Sequence, residues 1–223
     1  MRKRFILPHW GMFFGILAAL GLCASACSYP TERFHPKFQG YHQSMGVMLV
    51  LVPEIGIFEQ SPDGGRLFKN IPSQEAQRTT QETIVSQLRQ RHFAVKRADA
   101  RLMRLPEIQS LTRLFRSVNR SIQLHTFGPQ LFPSKLQAFD YQVGPVADLL
   151  KANGADGLIL SLGYQTGHGQ PSRNWLSIAV VEPQGRIIWY GVKGDHHRFD
   201  LQSPDSVAEL VAHTMTHFWE SGA

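Results

Sequence analysis

The chain is poor in the residues on which covalent and metal chemistry most often depends. Its 223 residues include two cysteines, and both, Cys23 and Cys27, fall near the N-terminus. The body of the chain therefore has no disulfide, no thiol nucleophile and no cysteine zinc ligand. No Gly-x-Ser-x-Gly elbow, Asp-x-Asp pair or Cys-x-x-Cys occurs, so the standard hydrolase and redox sites have no support in the sequence. No internal repeat or low-complexity block is present. A long hydrophobic run is also missing. Phe13 to Leu22 is about half of the ~20 residues that a helix rising 1.5 Å per residue needs to cross a bilayer. Pro8, His9 and Trp10 interrupt its approach.

What the N-terminus does have is the order of a bacterial export signal: Arg2, Lys3 and Arg4, then the short apolar run, then small residues. Ala24-Ser25-Ala26-Cys27 resembles the lipobox of bacterial lipoproteins. That resemblance implies cleavage before Cys27 and acylation of its sulfur, including a palmitate chain. Ala24 stands where the motif usually has Leu. The alternative frame, ending at Cys23, puts the bulky Leu22 before the cysteine, where a small residue is expected. Ser28, not Asp, follows Cys27, which in lipoproteins of two-membraned bacteria implies sorting to the outer membrane, facing the periplasm. Ordinary secretion with cleavage elsewhere, and an uncleaved anchor, are the competing readings. Residues 1–26 are thus expected to be a signal peptide, 27–44 the lipidated cysteine and a tether, and 45–223 one domain.

The formal charge is +6, from 23 basic and 17 acidic residues. Without Arg2, Lys3 and Arg4 the balance becomes 20 to 17, or +3. A mildly basic envelope protein does not meet nucleic acid, so no nucleic-acid partner is expected. Residues 28–44, "SYPTERFHPKFQGYHQS", carry two prolines, a glycine and no apolar period. Seventeen such residues would extend to roughly 55 Å. Their aromatics, Tyr29, Phe34, Phe38 and Tyr41, suggest that part of the segment docks on the domain or on a partner.

Beyond residue 45, periodicity predicts an α/β domain, a mixed sheet of about five strands with helices packed on it. "VMLVLVP" is a buried strand, residues 73–93 a helix capped by Ser73 behind Pro72, and "AVKRA" a second strand. A helix is predicted from Leu105 or Pro106 to about Asn119, with Ile108, Leu111, Leu114, Phe115 and Val118 on one side. A short helix follows, closed by Gly154, and then a strand at 157–163. Two strands flank a turn at Pro183-Gln184-Gly185, and the last helix is capped by Ser203-Pro204. This order, with the helix-Gly-Ala-Asp-strand junction at Gly154 to Leu160, resembles the TolB N-terminal and CsgG-like periplasmic domains. The resemblance implies a module that binds proteins in envelope assembly or transport, and it carries no catalytic motif.

Three constellations stand out. Arg101, Arg104, Arg113, Arg116 and Arg120 gather in the middle segment, with Lys96 and Arg97 just before them. Their planar guanidinium forks suit carboxylates and phosphates. They are the candidate contact for an envelope protein or an anionic envelope component, although a solvated helix face reads the same way. His213 and His217, at i and i+4, are the candidate ligands of a metal-dependent hydrolase, with His196 or His197 as a third. The glutamate of His-Glu-x-x-His is missing, since Thr214 follows His213, and an ordinary surface pair is the simpler reading. "GYQTGHGQPSRN", holding His168 and Arg173, is a loop between strands and lacks the helix that a phosphate cradle needs. The sequence therefore favours a lipid-anchored, non-enzymatic binding module with no cofactor.

Overall fold

The computed structural model describes residues 32–127, 132–167, 173–195 and 199–220. The signal, Cys27, His168, His196 and His197 lie outside the described residues. Eight strands form one sheet: β1 (Glu32–Phe34), β2 (Val47–Val50), β3 (Glu54–Gln60), β4 (Arg66–Phe68), β5 (Ala94–Arg97), β6 (Gly157–Thr166), β7 (Arg173–Val181) and β8 (Ile187–Asp195). The helices are α1 (Phe38–Ser44), α2 (Asn70–Gln90), α3 (Pro106–Ile122), α4 (Pro133–Gln137), α5 (Ala147–Ala152), α6 (Pro204–Thr214) and α7 (Thr216–Glu220).

The sheet is built outward from β6. On one side lie β7, β8 and β1, all antiparallel to their neighbours. On the other side two short strands share β6 end to end. β2 runs parallel to residues 157–159 and β3 parallel to residues 162–166. Pro53 separates them, because it cannot donate to a ladder. β5 extends the sheet beyond β2, and β4 extends it beyond β3.

Helices cover both faces. One core packs α2 and α6 on Met48, Val50, Ile55, Ile57, Ile159, Ile178 and Trp189. The other packs α3, α5 and residues 139–146 on Leu49, Leu158, Leu160, Ala179, Val181 and Tyr190. This is the mixed α/β class expected, with eight strands where about five were read. None of the described helices is long and apolar enough to span a membrane.

Two of the missed strands, β3 and β4, have a physical reason. β3 alternates the buried Ile55 and Ile57 against the half-buried Glu54, Gly56 and Phe58, so only one of its faces is fully buried. β4 is three exposed residues held by β3 alone. The other departures are at element ends. α2 begins at Asn70, with Pro72 inside its first turn, where a missing N–H costs nothing. Ser73 is therefore not a cap. Its hydroxyl donates to Lys69 O at 2.6 Å and accepts from Ile57 N at 2.9 Å, which pins the helix to β3. Leu114, read as core, is exposed.

The segment read as tether differs most. From Glu32 it is part of the domain, as β1 beside β8 and as α1, whose Phe38 is buried against Phe34 and Phe218. The aromatics that made it a poor linker are its packing groups. Glu32 itself is buried and accepts from Trp189 Nε1 at 3.0 Å and from the His217 backbone at 3.1 Å.

Two junctions follow the sequence closely. Gly154 closes α5 at φ +52°, with Ala155 N bonded back to Leu150 O at 2.9 Å. Asp156, next to it, accepts from the backbone of Gly46 and Val47 at 3.1 and 2.8 Å, setting β2 against β6. At the β7–β8 turn Gly185 has φ +87°, and the buried Glu182 accepts from Gln184 N and Arg186 N.

Candidate binding cleft

Helix α3 organises the candidate site. Pro106 opens it, Glu107 favours the positive end of its dipole, and Ile108, Leu111, Phe115 and Ile122 bury one stripe. Asn119 occupies a place in that stripe where an apolar residue would be expected. Its Oδ1 accepts from the hydroxyls of Ser177 and Tyr190, each at 2.7 Å. Burial pushes the Tyr190 phenol well above its ordinary range, so the network stays neutral. Such a network fixes the rotation of α3 on the sheet, and with it the direction in which the arginines point.

The helix covers only part of the sheet. Past its C-terminal half, β3, β6 and β7 leave a cleft of about 390 Å³, within the ~300–1,000 Å³ range of small-molecule sites. Its floor is aromatic. The Phe58 and Tyr164 ring centroids are 5.2 Å apart, and those of Tyr164 and Trp175 are 6.4 Å apart. Gly56 makes room for the Phe58 ring, since a Cβ there would stand 2.7 Å from it. The rim is polar: Glu54, Arg116, Asn119, Arg120 and Gln123. Arg116 is ion-paired with Glu54 across the cleft mouth. Arg120 is exposed, with no ion-pair partner among the described residues. The Tyr164 hydroxyl is buried and lacks a hydrogen-bond partner among the described residues.

The structure divides the arginines read as one cluster. Arg101 precedes and Arg104 ends a 3₁₀ turn at Leu102–Arg104, ahead of α3. Some 20 Å of helix lies between that turn and Arg120. Arg113 is exposed and donates from Nε to Gln109 O at 3.1 Å. Lys96 bonds the Asn153 carbonyl and Arg97 pairs with Glu82 at 3.5 Å, so both face elsewhere. Of these basic residues only Arg116 and Arg120 line the aromatic cleft, where Arg66, from β4, also lies 5.9 Å over the Tyr164 ring. A second, aliphatic groove of about 850 Å³ lies at the other end of α3, between Leu105, Leu114 and α5.

The histidine pair is not a ligand pair on one helix face. α6 ends at Thr214, so His213 closes one helix and His217 belongs to the next, and the i, i+4 geometry of a continuous helix is lost. His213 Nε2 lies 3.4 Å from Glu209, and His217 Nδ1 lies 3.2 Å from Glu32. Among the described residues no three His, Cys, Asp or Glu side chains could together hold a metal ion.

Within the cleft Glu54 is the one carboxylate, and Arg116 occupies it. Among the described residues lining the cleft there is no serine, cysteine or histidine. The lining offers apolar contact on the floor, hydrogen bonds from amides, and a guanidinium that suits an anion. Glu54, Asn119, Gln123, Tyr164 and Trp175 were not singled out from the sequence. Two signals pointed to them, the polar residue inside the apolar stripe of α3 and the two-residue alternation of "EIGIF".

The architecture is that of a three-layer α/β domain, with helices on both faces of one mixed sheet. A comparison with known protein families returns no match, and neither does one with curated proteins. Among solved structures, the lipoprotein GNA1162 from Neisseria meningitidis is similar at TM-score 0.36 and 12% identity, over 80% of this chain and 99% of that one. The LpoB C-terminal domain from Salmonella enterica is similar at TM-score 0.28 and 16% identity, over 69% of this chain and 84% of that one.

Proposed function

We propose that the chain is a non-enzymatic binding or assembly module of the bacterial cell envelope, held at the outer membrane by acylated Cys27. In this reading it binds an envelope protein through the cleft beside α3. The order of elements keeps the resemblance to TolB N-terminal and CsgG-like domains as part of the proposal. The observation that carries the reading is the pairing of an aromatic floor with Arg120, a rim cation that has no carboxylate partner among the described residues. Aromatic and arginine side chains are the residues on which protein interfaces most often depend. A partner presenting an acidic group beside an apolar one satisfies both halves of the cleft.

The test is capture of partners from envelope extracts with the full-length chain, comparing wild type with Arg120→Glu and with Arg113→Glu as an off-cleft comparator. Reversal at Arg120 is expected to lower recovery of the partner at least about tenfold, and reversal at Arg113 to leave it near wild type. Equal recovery from all three proteins would remove the cleft from the proposal.

A further inference from the structure

The aromatic floor continues past the cleft onto the β3–β4 hairpin. Phe68 stands opposite Phe58, and Arg66 opposite Gln60. Strand alternation therefore puts Phe68 and Arg66 on the face that carries Phe58. The Phe68 and Phe58 ring centroids are 5.5 Å apart. With the Phe58–Tyr164 and Tyr164–Trp175 contacts they make one row of rings across β4, β3, β6 and β7. Phe68 is half exposed at the end of the row, and the exposed Arg66 reaches back over the Tyr164 ring. We propose that Arg66 and Phe68 complete the cleft, and that its occupant is an extended peptide segment carrying an apolar side chain between two carboxylates. The proposal rests on the reading of the cleft as the contact for an envelope protein, and it names what that protein presents.

Charge is what calls for two acids. Three arginines, Arg66, Arg116 and Arg120, stand around the row with one carboxylate, Glu54, which Arg116 already holds. Arg66 and Arg120 have no carboxylate partner among the described residues. They belong to opposite walls. Arg120 is on α3, which Asn119 fixes over β7 and β8, whereas Arg66 is on β4, at the far side of β3. A guanidinium lying over a ring keeps its N–H edge for a carboxylate. A ligand with a single acid leaves one wall unmatched. A ligand with two acids about an apolar group matches both walls and the rings between them.

Size selects the form of the ligand. A helix is about 10–12 Å across with its side chains and rises 5.4 Å per turn, so a cleft of about 390 Å³ holds about one turn of it. Alternate side chains of an extended chain recur on one face about every 6.6–6.8 Å. Successive rings in the row are 5.5, 5.2 and 6.4 Å apart, a similar step. Acid, apolar and acid at alternate positions therefore lie along the row on one face of an extended segment.

The experiment selects a displayed library of random peptides on the full-length protein in detergent. Wild type should enrich peptides with two acidic residues about an aliphatic or aromatic one, at alternate positions. The consensus peptide is then synthesised, with each acid in turn changed to its amide, as the probe for double-mutant cycles. Arg66→Gln should weaken the consensus peptide at least about fivefold and should have little effect on the peptide that lacks one of the two acids. Arg120→Gln should couple in the same way to the other acid, and Phe68→Ala should weaken all three peptides alike. Coupling at Arg120 alone, or a consensus with a single acid, would overturn the second carboxylate and leave the cleft reading in place. Peptides whose binding neither arginine substitution changes would overturn both readings. A consensus matching this chain's own sequence would make a second copy the occupant and overturn the partner. Absence of any enriched peptide would overturn the extended segment, with capture from envelope extracts still deciding the cleft.

Discussion

His42 is a titratable ring in an aromatic box. Its centroid lies 5.2 Å from Phe38, 5.7 Å from Phe93 and 5.2 Å from Phe218, and its Nε2 is buried with no hydrogen-bond partner among the described residues. Burial there holds its pKa below the ordinary 6.5. His35 shifts the same way, first through burial and then through Arg186 and Lys37. The unfolded chain thus takes up protons at a higher pH than the folded one. Stability from this source is complete above the ordinary histidine pKa and is lost as pH falls through the folded value. His42→Phe should therefore narrow the difference in urea-unfolding stability between about pH 7.5 and about pH 5. An unchanged difference would mean that the ring does not titrate on folding.

At the scale of elements, the turns carry strain that a substitution can separate into parts. Gly185 and Gly64 both have positive φ, +87° and +82°. A Cβ on Gly64 meets nothing within 4 Å, whereas one on Gly185 would fall 1.8 Å from the Gly144 carbonyl oxygen. Gly64→Ala should cost about 1–2 kcal/mol, the left-handed penalty alone. Gly185→Ala should cost clearly more, because the β7–β8 turn must move off residues 143–146. Denaturant midpoints of the two variants measure the gap, and equal midpoints would show that the turn relaxes freely.

The same scale explains what the sequence made legible. α3, α6, the β7–β8 hairpin and the Gly154 cap were readable because period, cap and turn residue agreed there. β1 and α1 were not, because Pro30, Pro36 and Gly40 punctuate that stretch as a linker would, and its order comes from distant partners such as Trp189 and Phe218. The cleft was half readable. Arg116 and Arg120 came from composition, but the aromatic floor needed the sheet register that brings β3, β6 and β7 together. The sequence reading favoured an ordinary histidine pair over a metal site, but its i, i+4 spacing presumed one unbroken helix, and the helix breaks between the two residues.

For the whole molecule, the proposed anchor makes a plain prediction. Cys27→Ala should move the protein from the membrane fraction to the soluble periplasm, because in the proposed reading the acyl chains on that cysteine are what holds the protein at the bilayer. Retention of the variant on membranes, with Cys23→Ala abolishing acylation, would show that the other cysteine is the modified one. The buried Glu32 adds a consequence about time. It ties the first strand to Trp189 and to His217 in the last helix, partners 157 and 185 residues away in sequence. A chain made or exported from its N-terminus cannot fasten its first strand until its final residues have emerged. Until then the first strand stays unfastened, which gives the proposed cleavage and acylation at Cys27 time to occur before the N-terminal lock closes.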